Sequence, residues 1–161
     1  KTELVLSVET GERIPYIEPV NESIVDGWKL YYQLFDEMPD PSIQTRANDM
    51  NSFEPVAFTG RPQPELSGKL DKYAMYRTKF EAGSPCKGRK LHFQEIYGYV
   101  YIYLDGEVLG SRTDGFGGSM IIPIDEILEG QHELTVIVKN ANKEYPEAGI
   151  CSPVCLIRER S

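Results

Sequence analysis

The stretch EIYGYVYIYLDGEVLG, residues 95–110, places Tyr97, Tyr99, Tyr101 and Tyr103 at every second position, with Gly98, Val100, Ile102 and Leu104 between or after them. A β-strand turns successive side chains to opposite faces, so the aliphatic set is expected to enter a core while the tyrosines look out of the sheet. Asp105-Gly106 then marks a tight hairpin turn, and Val108-Leu109 opens the expected return strand. A tyrosine joins a large apolar ring to a polar tip and suits a wet or shared boundary. The row of four therefore has three expected uses: packing under the proline-rich loop of residues 36–72 or the N-terminal arm, meeting a neighbouring domain, or offering a flat platform to a polysaccharide.

The same period recurs outward from this hairpin. Trp28, Leu30, Tyr32 and Leu34 alternate with Lys29, Tyr31, Gln33 and Phe35 and predict the first strand of the domain proper. Further strands are expected at residues 73–80, 90–96, 120–124 and 154–158, and at QHELTVIVKN, residues 131–140, where His132, Leu134, Val136 and Val138 share a face. Shorter strands are expected at residues 4–8 and 55–59, and residues 124–130 leave room for one helical turn closed by Gly130. Prolines 39, 41, 55, 62 and 64 make the segment from Asp36 to Lys72 mostly loop. Residues 1–24 read as an arm or linker and residues 25–161 as the domain. Short strands, frequent turn signals and no crossover helices predict an all-β fold, an antiparallel β-sandwich with jelly-roll topology.

Charge and chemistry narrow the function. With 17 basic and 25 acidic residues, a formal net charge of -8, the chain lacks the clustered Lys and Arg that a nucleic-acid partner requires, whereas neutral or cationic partners are accommodated more easily. No run of 18 apolar residues predicts a membrane span. A first residue of Lys1 suggests a piece of something longer. Cys86, Cys151 and Cys155 have no metal-ligand spacing and are expected to be ordinary, mostly buried thiols; the last two, on one extended segment, would stand about 13 Å apart, too far to bridge, and the alternative is a bond from Cys86 to one of them. No cofactor is implied, and a structural Ca²⁺ in a loop is left open. Catalysis of glycoside hydrolysis needs two carboxyls about 5–9.5 Å apart with one of raised pKa. Asp36-Glu37, Asp125-Glu126 and Glu144 lie in loop sequence, His92 and His132 lie in strands, and no nucleophile elbow or HExxH motif occurs, so no active site is expected in the chain.

Tyr76-Arg77, Leu91 and Phe93, Asp105-Gly106, Gly110, Gly115-Phe116, Leu128, Gly130, Leu134, Val136 and Val138 fall in an order and spacing that resembles the sugar-binding jelly-roll domain of the family 2 glycoside hydrolases, the β-galactosidase and β-glucuronidase group. The resemblance covers residues 73–157 and includes GICSPVCLI as a closing strand. It implies a galactose-binding-like fold, a parent enzyme that is secreted or periplasmic, and neighbouring domains as partners. The chain is then expected to be a non-catalytic accessory domain with carbohydrate-binding or scaffolding duty. The alternatives are a protein docking module without sugar affinity and, third, a small independent enzyme. Carbohydrate binding asks for an aromatic ring and a few polar groups on loops at one end of the sandwich. The candidates are Arg112, Asp114 and Phe116 on one loop and Asn142 and Tyr145, with Asn140 and Glu144, on another; the structural alternative is that Phe116 plugs the sandwich end while Arg112 and Asp114 pair.

Overall fold

A computed structural model describes residues 22–42, 52–61, 66, 68–81, 89–114, 117–124, 130–141 and 147–158. The strands are β1 (Glu22–Val25), β2 (Lys29–Tyr31), β3 (Phe53–Pro55), β4 (Tyr73–Glu81), β5 (Arg89–Tyr97), β6 (Tyr99–Leu104), β7 (Glu107–Arg112), β8 (Gly117–Ile124), β9 (Gln131–Lys139), β10 (Gly149–Ile150) and β11 (Val154–Arg158), and no helix occurs among the described residues. One sheet sets β1 beside β11 and β11 beside β5; β10 continues the place of β11 along β5, and β8 takes the other edge of β5. The second sheet runs β3-β2-β4-β9-β6-β7. Every pairing is antiparallel, so the predicted all-β antiparallel sandwich is the observed architecture.

The strands form where alternation is cleanest. β4 and β9 pair over nine positions, from Tyr73 opposite Lys139 to Glu81 opposite Gln131. Their inward residues, Ala74 and Tyr76 with Leu134, Val136 and Val138, meet Leu91, Phe93 and Ile96 of β5, Ile122 and Ile124 of β8, and Val154 and Leu156 of β11 in one core. Each such side chain removed from water contributes about 1.5–3 kcal/mol before the entropy of ordering it is counted. Trp28 enters the same core and donates its indole N–H to the Val25 carbonyl at 2.9 Å.

The decisive stretch is not one strand. At Gly98, φ +104°, the chain leaves the first sheet and enters the second, so Tyr97 ends β5 whereas Tyr99, Tyr101 and Tyr103 belong to β6. A Cβ at position 98 would stand 2.6 Å from the Lys139 carbonyl oxygen, and this close approach fits only glycine. Past it the turn forms as expected: Asp105 (φ +53°) and Gly106 (φ +85°) are both left-handed, the signature of a two-residue hairpin of the primed type. The strand expected from Trp28 to Phe35 is only β2, because the backbone bends after Tyr31 and rejoins the sheet by a single bridge from Phe35 to Tyr73. The short strand expected at 55–59 lies at Phe53–Pro55. The boundary expected between residues 24 and 25 falls inside β1. Residues 4–8 and the helical turn expected before Gly130 lie outside the described residues. Cys151 and Cys155 are buried and form no disulfide among the described residues; Cys86 lies outside the described residues. Among the described residues no helix is long and apolar enough to cross a membrane.

Candidate functional site

Two regions gather the polar and aromatic groups: the outer face of the six-stranded sheet, and the end of the sandwich where the chain crosses at Gly98. On the outer face, Tyr99, Tyr101 and Tyr103 stand opposite Lys139, Ile137 and Thr135 of β9 and are half-buried. Their neighbours Met75 and Ile137 are fully buried although they point away from the core, so this face is covered. Part of the cover is the segment of residues 36–42, which leaves the bridge at Phe35, buries Pro39 and brings Ser42 close to Gly106 at the β6–β7 turn. Arg77 pins it. Its Nη2 donates to the Pro41 carbonyl at 2.6 Å, its Nε donates to Thr135 Oγ1 at 3.1 Å, and its guanidinium lies 4.7 Å from the centre of the Phe53 ring. Burial lowers the Arg77 pKa while Glu133 and Asp40 raise it, leaving a charged group held by its surroundings. Burial also raises the Tyr101 phenol, aided by Tyr73 and opposed by Lys139.

At the crossover end, Tyr97 donates its phenol proton to Glu95 Oε2 at 2.5 Å, and the Ser152 hydroxyl donates to Glu95 Oε1 at 3.2 Å. The hydrogen bond to Glu95, then burial, then the charges of Glu95, Cys151 and Glu147 push the Tyr97 phenol up to about 12. Burial, with Glu95 and Glu147 nearby, pushes the Cys151 thiol up to about 12. Both groups are held protonated at neutral pH, the reverse of what a nucleophile needs. Arg112 ends β7 half-buried and donates from Nη2 to the Ile96 carbonyl at 2.7 Å, which ties the end of β5 to the opposite sheet; among the described residues its buried Nε has no hydrogen-bond partner. Burial lowers its pKa, with Asp114 nearby acting the other way. Asp114 is exposed. Of the predicted carbohydrate-binding residues, these two are therefore neighbours, and Phe116, Asn142 and Tyr145 lie outside the described residues. The four tyrosines of the predicted interface are divided between two sheets. Among the described residues no group of three or more His, Cys, Asp and Glu could hold a metal ion.

Sequence reasoning passed over a third feature. Tyr31 and Tyr32, consecutive in the chain, have ring centroids 5.0 Å apart, and Tyr31 also meets Phe35 at 4.9 Å and Phe53 at 5.1 Å. The alternation through Trp28–Phe35 concealed it, because an unbroken strand would send the two tyrosines to opposite faces. The doublet YY followed by Gln33 was the available signal.

A two-layer antiparallel sandwich without an assembled reactive centre among the described residues defines the class. No protein-family model and no curated protein matches the sequence. Among solved structures, the chain is similar to a GH2 β-galacturonidase from Eisenbergiella tayi bound to galacturonate, with TM-score 0.58 and 17% identity over 85% of this chain and 24% of that one. It is similar to the Faecalibacterium prausnitzii β-glucuronidase, with TM-score 0.61 and 15% identity over 86% of this chain and 31% of that one. It is also similar to the β-glucuronidase from Ruminococcus gnavus in complex with uronic deoxynojirimycin, with TM-score 0.59 and 16% identity over 86% of this chain and 29% of that one. The likeness to GH2 enzymes read from the motifs is thus matched by a shared fold, and the chain spans less than a third of the length of these structures.

Proposed function

We propose that the chain is a non-catalytic accessory β-sandwich domain of a multidomain glycoside hydrolase of the GH2 kind. The observation that carries this reading is the mismatch of coverage: 85–86% of this chain superposes on only 24–31% of enzymes that act on glycosides. The chemistry at the crossover end supports it, since Glu95 is occupied by two donors and the Tyr97 and Cys151 protons are held tightly. Arg112 supports a structural share of the duty, because its Nη2 is spent on the Ile96 carbonyl. Neighbouring domains of the parent and a secreted or periplasmic setting belong to the same proposal.

The test is to incubate the purified 161-residue chain with p-nitrophenyl β-galactoside, β-glucuronide and β-galacturonide. No nitrophenol release above a buffer blank is expected. Release that tracks the folded chain through a sizing column would sink the proposal.

A further inference from the structure

We propose that Arg112, at the end of β7 where the two sheets meet, is a binding site for a carboxylate carried by another molecule. Drawing a cation out of water is costly unless a counter-charge or a full set of acceptors goes with it. Elsewhere the chain obeys this rule: the nitrogens of Lys72, Arg77 and Lys139 stand within 4.0 Å of a carboxylate oxygen, of Asp36, Glu133 and Asp71 in turn. Arg112 is half-buried and, among the described residues, makes no such pair. Asp114, exposed two positions on, acts on its charge only from farther away. Its buried Nε also lacks an acceptor among the described residues, and an unsatisfied buried donor is the kind of feature that a bound ion explains.

The side chain is held in place for such an ion. Nη2 donates to the Ile96 carbonyl at 2.7 Å and so fixes the guanidinium across the gap between β7 and the end of β5. The sheets are close here, since a Cβ at Gly110 would stand 2.9 Å from Ile122 Cδ1. Nη1 is not among the buried nitrogens and has no partner among the described residues, so it is the atom that would receive the carboxylate. Because the charge is shared over the whole guanidinium, an anion at Nη1 also offsets the cost of the buried Nε. A planar monoanion with two oxygens suits that cation, whereas a chain of net charge -8, with Asp114 exposed close by, disfavours a dianion such as phosphate. A free small acid and an acidic side chain of an adjoining polypeptide share this chemistry. The glycoside-hydrolase reading is not needed for the site, which is built from one guanidinium and one main-chain carbonyl.

Proton–nitrogen correlation spectra of the full chain test it through the Arg112 Nε–H, assigned by its loss in Arg112→Lys. With sodium acetate, compared with sodium chloride at equal ionic strength, this signal should move and saturate in the millimolar range, whereas the Arg77 Nε–H, already given to Thr135, should move about a tenth as far or less. Acetate should also raise the thermal midpoint of the parent and leave that of Arg112→Lys unchanged. An acetylated, amidated Gly-Glu-Gly peptide that acts at concentrations about ten-fold below acetate assigns the carboxylate to a polypeptide, and one that acts no better than acetate assigns it to a small acid. The same peptide with Gln in place of Glu should leave the signal where it is. No saturable movement with either acetate or the Glu peptide, equal movement with chloride or the Gln peptide, which would mean an adventitious ion only, or a larger response to inorganic phosphate than to acetate overturns the site.

Discussion

Replacing Gly98 by alanine should destabilise the chain by about 4 kcal/mol, as the sum of two costs that can be measured apart. The first is backbone: at φ +104° an L-residue is strained, which costs about 1–3 kcal/mol. The second is steric. The new methyl would stand 2.6 Å from the Lys139 carbonyl oxygen, 3.0 Å from Val138 Cγ1 and 3.3 Å from Ala148 Cβ. The nearest of these is a backbone atom of β9, held in register between Tyr73 and Tyr99, so it cannot yield as a side-chain end would. Overpacking of this kind costs about 1–3 kcal/mol. Gly118 separates the costs: its φ is +111°, and an added Cβ there meets nothing within 4 Å. Gly118→Ala should therefore bear the backbone cost alone, about 2 kcal/mol. In urea unfolding at constant slope, the midpoint of Gly98→Ala should fall about twice as far as that of Gly118→Ala, and thermal midpoints should drop by roughly 8–16 °C and 4–8 °C. Against a total of about 5–15 kcal/mol both variants stay folded at room temperature. Equal destabilisation within about 0.5 kcal/mol, the usual scatter of such comparisons, would refute the close-packed crossing between sheets.

Arg77→Met should cost about 2–4 kcal/mol through the lost hydrogen bonds to Pro41 and Thr135 and the ring contact with Phe53, and should speed proteolytic cleavage within residues 36–42; unchanged cleavage would show that Arg77 does not hold that segment. Asp105 gives a pH dependence. Burial raises its carboxyl pKa, but the Glu133 amide and the His132 imidazole outweigh this and hold it below the usual carboxylate range. A depressed acid stabilises the native state fully above its unfolded pKa, about 3.9, and loses that contribution as pH falls through the folded value. The stability gap between the parent and Asp105→Asn should thus be open at about pH 6 and narrow as the pH falls below the unfolded value of about 3.9; a gap of constant size through that fall would place its source elsewhere. Cys151, fully buried with its thiol pushed up to about 12, should resist iodoacetamide at about pH 8 in the native chain and react once urea is added, as read by mass spectrometry of its peptide; prompt native labelling would contradict the buried placement.

The fold was legible wherever one physical rule acted alone. β9 reads from its alternation because Leu134, Val136 and Val138 face one core, and the β6–β7 turn reads from Asp105-Gly106 because few other residues accept two left-handed positions in succession. The crossing at Gly98 was not legible because it preserves the period. A small residue between tyrosines looks like the thin face of a strand, whereas its real cause is the Lys139 carbonyl of another strand 41 positions later (139 - 98), which no local pattern contains. The outer face was half legible. Alternation placed Tyr99, Tyr101 and Tyr103 on the outside, but Met75 and Ile137 beside them are fully buried, and the hydrogen bond from Arg77 to Pro41, with the ion pair of Lys72 and Asp36, helps to hold part of a proline-rich segment there. The same Arg77 links the two unread features: it holds the segment of residues 36–42 with one nitrogen and rests on Phe53 with its plane, and Phe53 in turn supports Tyr31 beside Tyr32. An arginine in a strand carries no sequence mark of such a role, because its partners are chosen by the fold. The exposed tyrosine edge and the covered tyrosine face therefore share the Arg77 cation, and loosening it should disturb both.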